Sequence, residues 1–232
     1  MVKVDFHIHT ADDPFDLIPY TTRQAIDRGA EQGFSALALT LHDRQLDIRP
    51  LESYARERGI VLIPGVERTI RGRHVLLINF PAAAESIGSF DELAALKRQN
   101  PQGLVIAPHP FFPHLNCLRG LVNEYADLFD AVEINGFWAR ALNFNRGAVE
   151  WAQKHGKPVV GNSDAHRIHL IGMTFSLVDA DPHPDAICAA VREGRLETRS
   201  TPLSTLRAAQ YLLVLLRGAR AVPLVDPSTA VA

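Results

Sequence analysis

One feature of this chain constrains its fold more than any other. Short runs rich in Val, Ile and Leu recur along it, and longer segments with helical spacing separate most of them. The runs are VKVDFHI (2–8), ALALTL (36–41), IVLIPGV (60–66), HVLLINF (74–80), LVIAP (104–108), AVEIN (131–135), PVVGN (158–162) and MTFSLV (173–178). Runs that are apolar on both faces read as parallel strands covered by helices on each side. Seven or eight such units in 232 residues predict a single α/β domain, an irregular barrel of the (β/α) type. An open doubly wound sheet is the alternative.

The intervening segments carry helix signals. Residues 22–34 place Ile26, Ala30 and Phe34 four apart, and residues 89–99 open on a capping box of Ser89 and Glu92. Residues 142–155 end at Gly156, a C-cap followed by Pro158. The barrel is assigned to residues 1–200. Beyond it, residues 201–232 are expected to form a helix packing on the barrel, from TLRAAQYLLVLLRGARAV, and then a frayed tail.

Composition narrows the function classes. A formal net charge of −2, with 47% hydrophobic and 22% charged residues, describes an ordinary globular chain without the basic excess of a nucleic-acid or anionic-membrane binder. The longest apolar run, YLLVLL, is too short to span a bilayer. Cys117 and Cys188 form no C-x-x-C pair, and MVKVDFHIHT lacks the apolar core of a signal peptide. The expected location is therefore cytoplasmic, with no membrane partner.

The polar residues fall at the ends of the apolar runs. In DFHIHT, alternate residues share one strand face, about 6.6 Å apart. Strict alternation points Val4, Phe6 and Ile8 outward to helices, and Asp5, His7 and His9 into the barrel. By chance, ten histidines in 232 residues give about 0.4 His-x-His pairs, so the pair alone decides nothing. The pattern is what recurs: His42 follows ALALTL, Glu67 follows VLIPGV, His109 follows LVIAP, and Asp164 and His166 follow VVGN. His74 opens a run, and Asp12, Asp13 and Asp16 lie just past His9. Singly each has an ordinary structural explanation; Glu67 could cap a helix and Asp164 could start one. Jointly, so many ionisable groups would be costly to bury unpaired, and cations remove that cost. Imidazoles and carboxylates suit Zn, Mn or Fe, and eight or nine ligands imply two or three divalent ions, bridged by Glu67 or Asp164.

With those residues in view, the chain resembles the PHP superfamily, named for polymerase and histidinol phosphatase domains. The resemblance rests on DFHIHT, LTLHD, PGVE with RHVLL, APHP and NSDAH, in that order over about residues 3 to 180. It implies a distorted (β/α)7 TIM-like barrel with a trinuclear metal site at the strand C-termini, and phosphoester hydrolysis. His7, His9, Glu67 and Asp164 then look like ligands of one ion. Glu67, His74 and His109 look like those of a second. An early Asp with His42 and His166 looks like the third set, with Asp5 fixing an imidazole tautomer. Two stretches depart from the family pattern. Thr40-Leu41-His42 stands where members usually read Thr-Asp-His, so Asp43 is the only neighbouring carboxylate. TADDPFD is one residue short, leaving Asp13 and Asp12 as alternative ligands and Asp16 third.

The expected reaction is attack of a metal-activated hydroxide on a small phosphomonoester of the nucleotide or sugar phosphate type. Arg167 and Arg140, ahead of Arg44, are the expected phosphate-holding cations, and His169 the proton donor. Glu133 and Asn135 would line the pocket, and His114, His155 and His183 would be surface residues. No large insertion separates the motifs, which favours a small substrate over the end of a nucleic acid. The alternatives are an amidohydrolase-type hydrolase of C–N or C–O bonds, or a catalytically silent metal-binding module acting through a partner. Oligomeric state is not readable from the sequence.

Overall fold

The computed structural model describes residues 1–139 and 143–203. Its strands are β1 (Val2–Ile8), β2 (Ala36–Leu39), β3 (Val61–Ile70), β4 (Arg73–Ile78), β5 (Leu104–Ala107), β6 (Ala131–Asn135), β7 (Val159–Asn162), β8 (Thr174–Val178) and β9 (Leu196–Ser200). The helices are α1 (Thr22–Glu31), α2 (Glu52–Arg56), α3 (Phe90–Gln99), α4 (Leu121–Glu124), α5 (Asn145–His155) and α6 (Pro184–Arg192). Both capping signals operate: Ser89 accepts from the Glu92 amide, and Gly156 closes α5 in the left-handed region at φ 62°. The expected helix within 201–232 lies outside the described residues, as does Arg140.

The strands form one sheet in the order β7-β6-β5-β4-β3-β2-β1-β8-β9. It curls into a nearly closed barrel, as the sequence predicts. Ile8 bridges Ala165, just past β7, and the Phe6 amide donates to Asn162 Oδ1 at 3.0 Å. Lower down, the Gly161 amide donates to Ser176 Oγ at 2.9 Å. β1 thus meets β8 along its first half and the end of β7 along its second.

The distortion of the barrel is local. β1, β2, β3, β5, β6 and β7 are mutually parallel, whereas β4 runs antiparallel to both its neighbours and β8 antiparallel to β1. β3 and β4 form a hairpin over Arg71-Gly72, both at positive φ, the two-residue turn whose twist matches that of paired strands.

A lumen core takes residues from every strand from β1 to β8, among them Val4, Phe6, Ile63, Leu76, Ile106 and Val160. Ile187, Cys188 and Val191 of α6 join it and close the end where β1 starts. The outward faces pack on the other helices, with Leu37 and Leu39 against Ile26 of α1, and Val105 and Val132 against Leu93 and Trp151 of α3 and α5. With the lower lumen filled by apolar side chains, the polar residues are confined to the upper end.

The outward face expected of β1 is corrected for Val4 and Phe6 and holds for Ile8. The β1–β2 register slips between Asp5 and Ile8, so β1 carries one extra residue there. Val4 and Phe6 consequently sit in the lumen core, while Ile8 packs with α1. The bulge lets one strand supply apolar filling below and imidazoles above.

The seam between β7 and β8 admits no added bulk. A Cβ on Gly161 would lie 2.7 Å from the Phe175 carbonyl oxygen and 3.2 Å from Thr174 Cγ2. Backbone cannot swing aside as a side-chain tip can. Gly161→Ala is expected to destabilise the protein by about 1–3 kcal/mol, read as a lower urea midpoint. An unchanged midpoint would mean that the two strands separate freely.

Candidate metal centre

The bulge in β1 aims His7 and His9 into the top of the barrel, with their Nε2 atoms 3.1 Å apart. Each ring is held from behind by a carboxylate. His7 Nδ1 donates to Glu133 Oε2 at 2.8 Å, and His9 Nδ1 to Asp13 Oδ2 at 2.9 Å. A carboxylate can only accept, so the proton sits on Nδ1 and Nε2 is turned into the site.

Glu67 is the hub. It lies on β3, and the backbone segment after β2 pairs with it through a His42–Glu67 bridge. Its Oε2 lies 3.4 Å from both His7 Nε2 and His9 Nε2, and 3.1 Å from His42 Nε2. Its Oε1 lies 2.8 Å from His74 Nδ1 and 3.2 Å from His109 Nε2. His74 reaches it as a diagonal neighbour across the β3–β4 hairpin, where Thr69 pairs with His74 and Glu67 with Leu76. The antiparallel β4 is what brings the first residues of a strand to the upper rim.

Asp164 closes the group from the loop after β7. Its Oδ1 lies 3.5 Å from His7 Nε2, 3.7 Å from His9 Nε2 and 3.5 Å from His166 Nδ1, and its Oδ2 4.0 Å from His109 Nε2. Asp164 and His109 adopt φ of 50° and 30°, conformations that cost a non-glycine residue energy and are often retained where a side chain must be aimed.

The early aspartates separate. Asp13 is buried; its Oδ2 meets His9 Nδ1 and also accepts from both the ring Nδ1 and the amide of His42, each at 2.9 Å. Asp16 lies 3.1 Å from His166 Nε2. Asp12 is exposed and accepts from the Thr22 hydroxyl at 2.6 Å.

Other residues take roles that the sequence did not indicate. Asp5 accepts from the amides of His7 and Ser163 rather than from an imidazole ring. Glu133, expected only to line the pocket, is the group that orients His7, and Asn162 donates to the same oxygen at 2.9 Å. A carboxylate inside the apolar run AVEIN was the available signal. Cys117 Sγ lies 3.4 Å from His109 Nδ1. Asp43 pairs with Arg68 at 2.6 Å, beside the site. Asn135 donates to Asp164 Oδ2 at 3.4 Å. Arg167 precedes the short turn Ile168–Leu170 that carries His169, and the exposed Arg44 donates to the Asp12 carbonyl.

The electrostatics are those of a cation-seeking cavity. Burial opposes charge on His7, but Asp164, Glu133 and Glu67 outweigh it and hold its pKa well above the usual imidazole value. Burial likewise opposes charge on His42, yet the Asp13 and Glu67 carboxylates push it up to about 9. Conversely, burial would neutralise Glu67, but the surrounding His74, His7 and His109 keep its pKa well below the carboxylate range. The surrounding carboxylates thus favour positive charge at His7, His42 and His109, and a cation in the cavity would neutralise the same acids. The donor atoms fit metal ions: four sets of three or four, including His7–His9–Glu67, His42–Glu67–His74 and His9–His42–His166, lie within 4.8 Å of one another. The buried Glu133 Oε1 has no hydrogen-bond partner in the structure.

Comparison with known structures agrees with this fold. A two-domain protein from Bacteroides vulgatus containing a predicted PHP-like metal-dependent phosphoesterase superposes with a TM-score of 0.65 at 20% identity, over 86% of this chain and 64% of that one. The chain therefore spans just under two thirds of that relative. The lesion-specific endonuclease EndoQ of Pyrococcus furiosus gives 0.57 at 18% identity, over 91% of this chain and 66% of that one. PsfC of Pseudomonas syringae gives 0.62 at 16% identity, over 92% and 95%. No curated protein matches the sequence significantly. The family model for the PHP-associated region matches residues 143–196, the stretch that includes Asp164 and His166.

The chain is similar to PHP-associated sequences over residues 143–196 and shares the fold of a PHP-like protein. Among the described residues, no helix is long and apolar enough to cross a membrane.

Proposed function

We propose that this chain is a metal-dependent phosphoesterase that hydrolyses small phosphomonoesters. One observation carries the reading: side chains from residues 7 to 166 converge so that the two oxygens of Glu67 face five imidazole nitrogens within 3.4 Å. In this reading His7, His9, Glu67 and Asp164 hold one divalent ion, and Glu67, His74 and His109 a second. Asp13, His42 and His166 hold a third, with Asp16 beside it. Zinc, manganese or iron(II) suits these donors. Bound there, such ions supply Lewis-acid activation of water and neutralise charge on phosphoryl oxygens.

The chain's own residues supply the rest. Glu67 joins the sets, and Asp164, ionised among three imidazoles, links His7 to His166. Glu133 and Asp13 fix the ring orientations of His7, His9 and His42. Arg167 and Arg140 are the cations proposed to hold the phosphate, and His169 the donor of a proton to the leaving-group oxygen. A cytoplasmic location goes with this reading.

The test is a substrate panel on protein loaded with Mn²⁺ or Zn²⁺, after metal per chain has been measured. The panel holds an aryl phosphate, several phosphomonoesters, an aryl ester, an aryl amide and a short oligonucleotide. The expected outcome is phosphomonoester turnover that His9→Ala abolishes. Ester or amide hydrolysis alone, or full metal content with no turnover of any phosphate, overturns the proposal. Cleavage confined to the oligonucleotide would move the substrate to nucleic acid, the kind of substrate that EndoQ's name denotes.

A further inference from the structure

Among the described residues, the large apolar side chains left exposed are Met1, Phe15, Leu17 and Leu115. Apart from the first residue, all lie in the two loops that follow β1 and β5, the strands that lead into His9 and His109. Phe15 is 69% exposed, Leu17 wholly so, and Leu115 77%. Scattered apolar exposure is ordinary, but its concentration at one rim marks a surface that something covers.

Two aromatic rings tie that rim to the metal cluster. Phe15 stands edge-on to His42, with centroids 6.5 Å apart, and Phe112 edge-on to His109 at 6.4 Å. They flank the cluster on different loops. Neither is loosely hung. The Phe15 amide donates to Asp13 Oδ1 at 2.9 Å, so the carboxylate that orients His9 and His42 also sets the Phe15 backbone. Tyr20 anchors the far end of that loop through a 2.7 Å bond to the Ala165 carbonyl. Phe112 packs on Phe144 with centroids 5.3 Å apart.

The side chains within these two loops carry no permanent positive charge. Residues 10–22 contain Asp12, Asp13 and Asp16 but no Lys or Arg, and residues 108–118 contain none either. Arg44, Arg73 and Arg119 each donate to a backbone carbonyl of these loops, while the exposed side chains of the loops themselves offer apolar carbon.

We infer that the site selects phosphomonoesters whose leaving group is aromatic or apolar, gripped by Phe15 and Leu17 on one side of the metal centre and Phe112 on the other. The inference rests on the phosphoesterase reading and narrows its substrate class. The ester oxygen faces the cluster, and the organic group lies against the rim and leaves as the alcohol.

The test uses 2-phenylethyl phosphate and ethyl phosphate, primary alkyl esters that differ chiefly in the phenyl ring. Metal-loaded wild type is expected to favour the phenylethyl ester by about tenfold or more in kcat/KM, the scale expected for burying a ring face. Phe15→Ala combined with Leu17→Ala, and separately Phe112→Ala, should bring that ratio close to one. Phe15 and Leu17 are exposed, so their loss leaves the core untouched, and circular dichroism checks this. Equal kcat/KM in wild type, or a preference that survives both variants, overturns the inference. Calorimetric binding of 2-phenylethylphosphonate against ethylphosphonate separates the two proposals. A rim-dependent binding preference without turnover of either ester leaves the rim standing and removes the phosphoesterase reading. Rim-dependent binding to phosphatidylcholine vesicles with no ester preference overturns the inference in favour of surface docking.

Discussion

Glu67→Gln is expected to lower turnover of an aryl phosphate by about 10³-fold or more and to remove at least one ion per chain. The substitution conserves shape, so what changes is charge and donor chemistry. The carboxylate offers two anionic oxygens to His7, His9, His42, His74 and His109. The amide offers one neutral oxygen, and an NH₂ that would face imidazoles needing an acceptor. No other carboxylate in the group touches imidazoles from β1, β2's following loop, β4 and β5's following loop at once. Lewis-acid activation supplies several kcal/mol to reactions of this type, and each 1.36 kcal/mol is tenfold in rate. Elemental analysis of the purified variant and a steady-state assay check the two halves separately. Full metal content with wild-type rates would remove Glu67 from the centre of the mechanism.

How much of this was legible depends on which residues are asked. The apolar runs locate eight of the nine strands among the described residues because burial on both faces leaves a compositional trace that needs no partner to be seen. β9, reading LETRS with half-exposed residues, leaves none. Strand direction is another matter. Nothing in HVLLINF distinguishes β4 running against its neighbours from a parallel strand. The information sits in the two-residue connection Arg71-Gly72, too short for the crossover that parallel strands require. The same holds for faces. Alternation assigns Asp5, His7 and His9 to one side, but the bulge between Asp5 and Ile8 is set by pairing with β2 and has no local signature.

The candidate site divides along the same line. His7, His9, Glu67, His109 and Asp164 are conspicuous because polar groups at the ends of buried runs are expensive unless paired. Their partners are not, because orientation is a tertiary property. Asp12 and Asp13 are adjacent and chemically identical, yet Asp13 turns in to His9 and His42 while Asp12 turns to Thr22. Glu133 is chosen as the partner of His7 by the position of β6 across the barrel, a distance of 126 residues in sequence.

Removing the metal should make stability fall toward alkaline pH, where the loaded protein holds level. In the metal-free protein, burial opposes the charge on His42, but Asp13 and Glu67 raise its pKa from 6.5 to about 9. A group whose folded pKa is raised stabilises fully below its unfolded value and loses that contribution as pH climbs through the folded one. His42 alone therefore forfeits roughly 3 kcal/mol as the pH rises from 6.5 to 9, because each pH step of one between those two values is worth about 1.36 kcal/mol. For a chain of this size that lowers Tm by about 6–12 °C. His7, His109 and His166 are raised in the same direction and add to the loss. With ions bound at fixed free concentration the imidazoles are already neutral. Folded and unfolded states then release the same protons above pH 6.5, and the curve is flat. Below pH 6.5 the unfolded chain takes up protons that the loaded site refuses, so the loaded protein weakens toward acid while the metal-free protein does not, until Glu67, Asp13 and Asp164 begin to protonate. Thermal denaturation from pH 5 to 9.5, with and without a chelator, reads both curves. Two parallel curves would mean that the imidazoles carry no protons for a cation to displace, and the charge balance proposed for the centre would fail with them.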